Sequence, residues 1–128
     1  IYSAFSTLKI GIDLLKKNED IEIHSIYGHG GIFKTKKVAQ TFLAAAMQSP
    51  VSVMQTASEG GAWGIAVLAR YLVAENDVNL SSYLNEIAFK DTESIKIEPN
   101  EKEIESFNRY IERFKKGLPI ERLANEQL

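Results

Sequence analysis

Between Ala4 and Lys17 the apolar positions recur at helical intervals. Ala4, Phe5, Leu8, Ile12 and Leu15 share one side, with Lys9, Asp13, Lys16 and Lys17 on the other, and this spacing predicts an amphipathic helix. Asn18-Glu19-Asp20 is a polar break. Ile21, Ile23 and Tyr27 then alternate with Glu22 and His24, a strand pattern with one polar face. It runs into Gly28-His29-Gly30-Gly31, a turn in which glycine allows positive φ. Thr35 stands where it can cap a helix over residues 36–47, whose stripe is Val38, Phe42 and Ala46 beside Ala39, Leu43 and Met47. Pro50 stops that helix. Val51, Val53 and Met54 predict a short strand, and Glu59-Gly60-Gly61 opens a helix over 59–73 carrying Ile65, Leu68, Ala69 and Leu72. The order helix–strand–helix–strand–helix predicts an α/β fold with strands 21–27 and 51–54 as parallel neighbours and both later helices packed on the sheet.

Near Asn76 the character changes. Residues 1–74 carry a net charge of +2 and residues 75–128 a net −4. Here the pattern predicts a short helix over 81–89 and an extended run through Ile95 and Ile97 ending at Pro99. Asn100 with Glu103 three residues on resembles a capping box. Ile104, Phe107, Ile111 and Phe114 give the following helix its apolar stripe, Gly117 supplies a stop, and a last turn or two carries Leu123 and Leu128. The tail therefore reads as an acidic amphipathic cover.

Composition narrows the classes. The chain has 128 residues, 45% of them hydrophobic and 25% charged, with a net charge of −2, which is ordinary for one globular domain. This balance argues against a general nucleic-acid binder, which needs excess Lys and Arg to displace counterions. Without cysteine there is no disulfide framework, thiol nucleophile or thiolate metal site. No apolar run approaches the roughly 20 residues of a membrane span, so a cytoplasmic, membrane-free protein is expected.

Only the glycine cluster has a chemical look. Gly28 to Thr35 nearly spells the phosphate loop G-x-x-x-x-G-K-[ST], but Phe33 stands where glycine must let phosphate approach the backbone. His24 reads as a sheet-face residue and His29 as a turn residue within reach of a ligand; the pair lacks the third ligand a zinc site needs. Lys34, Lys36 and Lys37 form a cationic cluster beside the turn, either a solvated helix start or an anion contact. Gly61 and Gly64, with Ala62 and Ala66, predict a close helix–sheet packing face, and Trp63 a packing anchor.

An ordered set of these segments resembles a known family. Gly30-Gly31-Ile32-Phe33-Lys34, the helix from Gln40 to Met47, the Ser49-Pro50-Val51 step and Glu59-Gly60-Gly61-Ala62-Trp63-Gly64-Ile65-Ala66 are similar to the C-terminal region of FGGY-family carbohydrate kinases, most closely the L-ribulokinase and xylulokinase branches. The resemblance implies a partial RNase H-like lobe of the actin-like ATPase superfamily, in which two lobes enclose ATP and sugar. It divides the chain into residues 1–75, part of the nucleotide-binding lobe, and 76–128, a helical C-terminal extension packing on it. It makes Gly30, Gly31, Ile32, Phe33 and Lys34 the adenosine-binding loop, with Phe33 crowding or stacking on the ligand.

The catalytic Asp and the sugar pocket of such kinases lie earlier in their chains. With the helix-interior character of the residues from Ile1 onward, this predicts a piece of a longer kinase, inactive alone, whose parent uses ATP and magnesium on a pentulose-like sugar. Its expected partner is the N-terminal part of that kinase. A sheet lacking its first strands also predicts self-association, by strand pairing or helix exchange. The alternative is a non-catalytic α/β interaction or regulatory module of the same superfamily.

Overall fold

The computed structural model describes residues 1–74, 78–90 and 92–127. In chain order it comprises helix α1 (Tyr2–Glu19), strand β1 (Ile26–Gly28), a 3-10 turn (Gly31–Phe33), helix α2 (Val38–Met47), strand β2 (Val51–Met54), a second 3-10 turn (Ala57–Glu59) and helix α3 (Gly60–Val73). A short helix α4 (Leu80–Tyr83) runs into a π turn (Leu84–Ala88), followed by strand β3 (Ser94–Ile97) and the long helix α5 (Glu101–Gln127). The expected boundary between residues 75 and 76 falls outside the described residues, as does Leu128.

The sheet order is β1-β2-β3. β1 lies parallel to β2, with Ile26 opposite Val51 and Gly28 opposite Val53, as the strand–helix–strand order predicts. β3 joins β2 antiparallel, Val51 opposite Ile97 and Met54 opposite Ser94, so the run through Ile95 and Ile97 is a true sheet strand. Strand β1 is shorter than the expected 21–27. The main-chain N–H of Ile26 bonds the carbonyl of Pro50 at 2.9 Å; proline has no N–H to give back, and Ile21 and Ile23 lie outside the ladder.

Ile26, Val51, Val53 and Ile97 point from one sheet face into a core shared with α2, where Leu43, Ala44, Ala46 and Met47 are buried. Helices α1 and α5 close that core with Phe5, Phe107 and Ile111. Phe107 has no exposed surface, and Tyr2 meets it edge-on at 5.4 Å between ring centroids. The tail thus contributes both a strand and two core side chains, Phe107 and Ile111. Asn100 caps α5 as its spacing predicts, Oδ1 accepting from the Glu103 N–H at 3.3 Å. Glu103 does not complete the reciprocal half of the box; its Oε2 accepts from the Tyr2 hydroxyl at 3.2 Å.

Several local expectations give way to tertiary context. Helix α1 buries Phe5 and Ser6, while Leu8, Leu14 and Leu15 stay exposed; the face nearest α2 and α5 wins over the leucine stripe. Lys9, read as outward, is mostly covered and paired with Asp13. Helix α2 starts at Val38, not 36, and its N-cap is Lys37 with φ 67° and no side-chain cap, so Thr35 does not cap it. The helix expected over 81–89 divides into α4 and the π turn. Helix α5 does not stop at Gly117 but runs through Pro119 to Gln127. Beyond Phe114 it leaves the core, and Leu118, Ile120 and Leu123 are exposed.

Helix α3 departs furthest from expectation. It has no buried residue, so it does not pack on the sheet as a covering helix. Two aromatic pairs hold it to the segment after it, Trp63 on Phe89 at 5.0 Å and Tyr71 on Tyr83 at 5.1 Å. Its opposite side, Ile65, Leu68 and Leu72, is bare. Among the described residues no helix is long and apolar enough to cross a membrane.

Candidate functional site

β1 and β2 end side by side, and the segments leaving them, the glycine turn and the 56–59 turn, form the rim of the sheet. Ligands of parallel α/β sheets bind beyond these carboxyl ends. The two segments are tied together. The Gly30 N–H donates to the Ala57 carbonyl at 2.6 Å, and Lys34 Nζ lies 3.3 Å from Glu59 Oε1, both side chains largely in solvent. Gly30 has φ 104° and ψ 174°, a conformation essentially restricted to glycine.

Gly31 begins the 3-10 turn, and a Cβ there would meet nothing within 4 Å. Its hydrogen-only surface faces open space, as a backbone-approach position requires. Ile32 is exposed beside it. Phe33 behaves otherwise than expected: its ring folds back over Gly28, where an added Cβ would lie 2.5 Å from Phe33 Cζ, and packs against the core. The same ring also lines the larger of the two cavities that flank the turn. The glycine with a steric duty here is Gly28, which the sequence pattern marks only as a turn residue. Gly60 has a similar role, since a Cβ would lie 3.3 Å from His29 Cβ.

Two cavities flank this rim. The larger, about 500 Å³, runs between Phe33, Lys34, Lys36 and Lys37 on one side and Gln55, Glu93 and Ser94 on another. Among the described residues Lys36, Lys37 and Glu93 make no ion pair. The smaller, about 290 Å³ and almost wholly apolar, lies between Tyr27, Met54, Trp63, Gly64 and Phe89. Tyr27 pairs with Ser52 in the register, on the sheet face opposite the core, so α3 stands off that face. Gly61 and Gly64 have no neighbour within 4 Å of an added Cβ: they border this cavity and make no close helix–sheet contact.

His24 is exposed and outside the sheet, 3.9 Å from Glu22. Among the described residues no three His, Asp or Glu side chains gather as metal ligands. Of the expected loop, Phe33 and Lys34 line the larger cavity together with Gln55 and Glu93, which sequence reasoning missed, while Gly30, Gly31 and Ile32 stand on the rim outside both cavities. Only the β2–β3 pairing brings residue 93 beside residue 55, and that pairing leaves no local signal.

Compared with models of known families, residues 1–73 match the C-terminal domain of the FGGY family of carbohydrate kinases. No match was found among curated proteins or among solved structures.

Proposed function

Because this chain belongs to the FGGY family of carbohydrate kinases, whose fold is that of the actin-like ATPases, we propose that it supplies the adenosine side of the nucleotide cleft in an ATP-dependent sugar kinase. The observation that carries the reading is the glycine turn: Gly30 held at φ 104° and Gly31 facing open space at the carboxyl ends of two parallel strands. The residues fit a nucleoside phosphate. Glycine N–H groups can reach an anion without a Cβ in the way, Ile32 offers an apolar surface, and Lys34 with its lysine neighbours supplies positive charge.

ATP provides the transferred phosphoryl group, and magnesium and donors from both lobes stabilise it. This chain's part is to bind and orient. The acceptor is a pentulose-like sugar, as in the L-ribulokinase and xylulokinase branches, bound together with the catalytic Asp and the magnesium ligands by the N-terminal part of the same kinase. The chain alone is inactive, and it resides in the cytoplasm. The bare faces of α1 and α3 and the outer edge of β1 support a need for that partner, and in its absence the chain self-associates. Calorimetric titration with ATP tests the loop: binding that weakens about tenfold in a Gly31→Val chain with unchanged unfolding supports it, and unchanged binding removes the loop from the site.

A further inference from the structure

The cleft beside the glycine turn has a wall that the family match does not reach. Residue 93 follows the matched segment, yet the β2–β3 pairing sets it against residue 55: the Gln55 N–H donates to the Glu93 carbonyl at 3.3 Å, and Gln55 Nε2 donates to Glu93 Oε2 at 2.9 Å. Both side chains line the same cavity of about 500 Å³ as Phe33, Lys34, Lys36 and Lys37, a size that suits a small-molecule ligand. One part of that cavity is cationic. The other presents the exposed Gln55 carboxamide, bonded to the equally exposed Glu93.

We infer that Gln55, held by Glu93, reads the base of the bound nucleotide and selects adenine over guanine. The inference rests on the reading of Gly30–Lys34 as a nucleotide loop. A carboxylate only accepts, so Glu93 fixes which end of the Gln55 amide faces it. With one Nε2–H committed to Glu93, Gln55 keeps a second N–H and Oε1 for a ligand. Adenine offers a matching pair, an amino donor beside a ring-nitrogen acceptor. Guanine presents O6 where adenine has its amine, so two acceptors would face each other and the paired contact is lost. Lys36 and Lys37, unpaired among the described residues, are left for the phosphates. Gln55 is the residue that touches the base, and Glu93 is a positioning residue that acts through it.

The test uses ligand-observed NMR titration of this chain with ATP, GTP and inorganic tripolyphosphate, a method that detects weak binding. The expected result is ATP bound about tenfold more tightly than GTP, the scale of one bidentate base contact. In Glu93→Gln the amide of residue 55 is free to turn, and the ATP-to-GTP ratio falls towards one with tripolyphosphate binding unchanged. Gln55→Leu lowers ATP affinity about tenfold and also spares tripolyphosphate. A ratio that survives both substitutions overturns the inference; if Gly31→Val still weakens ATP binding in that case, the loop reading stands. A wild-type chain that binds none of the three probes overturns both. Amide exchange protection of β3 in each variant distinguishes lost reading from a lost strand.

Discussion

Three glycines within four positions face three different demands, so single alanines at Gly28, Gly30 and Gly31 should separate cleanly. At Gly28 the new Cβ would sit 2.5 Å from Phe33 Cζ and 2.8 Å from Cε1. The ring must swing away from the core it packs against, and overpacking of this kind costs about 1–3 kcal/mol. At Gly30 there is space, but φ is 104°, and holding alanine there costs about 1–3 kcal/mol of backbone strain. At Gly31 there is neither contact nor positive φ. Alanine there should change stability by no more than about 0.5 kcal/mol, or add slightly by restricting the unfolded chain. Urea unfolding followed by Trp63 fluorescence and far-ultraviolet dichroism measures all three. The order Gly31 above Gly30 and Gly28 is the expected result. A neutral Gly28→Ala would mean that Phe33 does not lie on Gly28, and a Gly31→Ala loss above about 1 kcal/mol would mean that the loop is packed, leaving no approach for a ligand.

The remaining expectations are shorter. Phe107→Ala should cost about 3–5 kcal/mol, the usual range for a fully buried phenylalanine; a loss under about 1 kcal/mol in denaturant unfolding would mean that α5 is a loose appendage. Exchanging Leu68 and Leu72 for Lys should leave unfolding within about 0.5 kcal/mol yet reduce association in sedimentation velocity, because both lie on the bare side of α3; unchanged association would put the contact elsewhere. Burial, with the Glu103 charge beside it, raises the Tyr2 hydroxyl above its usual value of 10.0. The unfolded chain then ionises first, so this contribution is intact below pH 10.0 and lost as pH climbs through the folded value; Tyr2→Phe should flatten the alkaline fall in stability, and an unaltered alkaline limb would show that the Tyr2–Glu103 contact does not drive it.

Local pattern was enough for some parts of this fold and not for others. Helix α2, strand β2 and the Asn100 cap follow from residues within a few positions of one another, and they appear almost where their spacing puts them. Periodicity also marks α1 and α3 as helices that want burial, but it cannot say whether a partner surface is within reach. For α3 only Trp63 and Tyr71 find partners among the described residues, and Ile65, Leu68 and Leu72 remain in solvent. Gly117 and Pro119 are honest local stop signals, overridden where the helix has already left the core. For the candidate site, the glycine turn is legible because glycine has few other reasons to cluster. The Phe33 ring over Gly28, and Glu93 beside Gln55, depend on how distant segments meet, and no window of sequence contains that.

Gln40 bears on how the cleft can move. Almost wholly buried at the start of α2, it donates from Nε2 to the Val51 carbonyl at 2.7 Å and to the Ile95 carbonyl at 2.5 Å, fastening one helix to two strands at a single rivet. Lys36 and Lys37 lie a few residues before it and Glu93 two residues before Ile95. The cationic and amide sides of the cleft are therefore mounted on one frame and cannot hinge apart like jaws without breaking bonds to a buried amide, which would leave its donors unsatisfied. On the proposed reading, a nucleotide would meet a slot of preset width here, and any closing stroke would come from a body outside this frame.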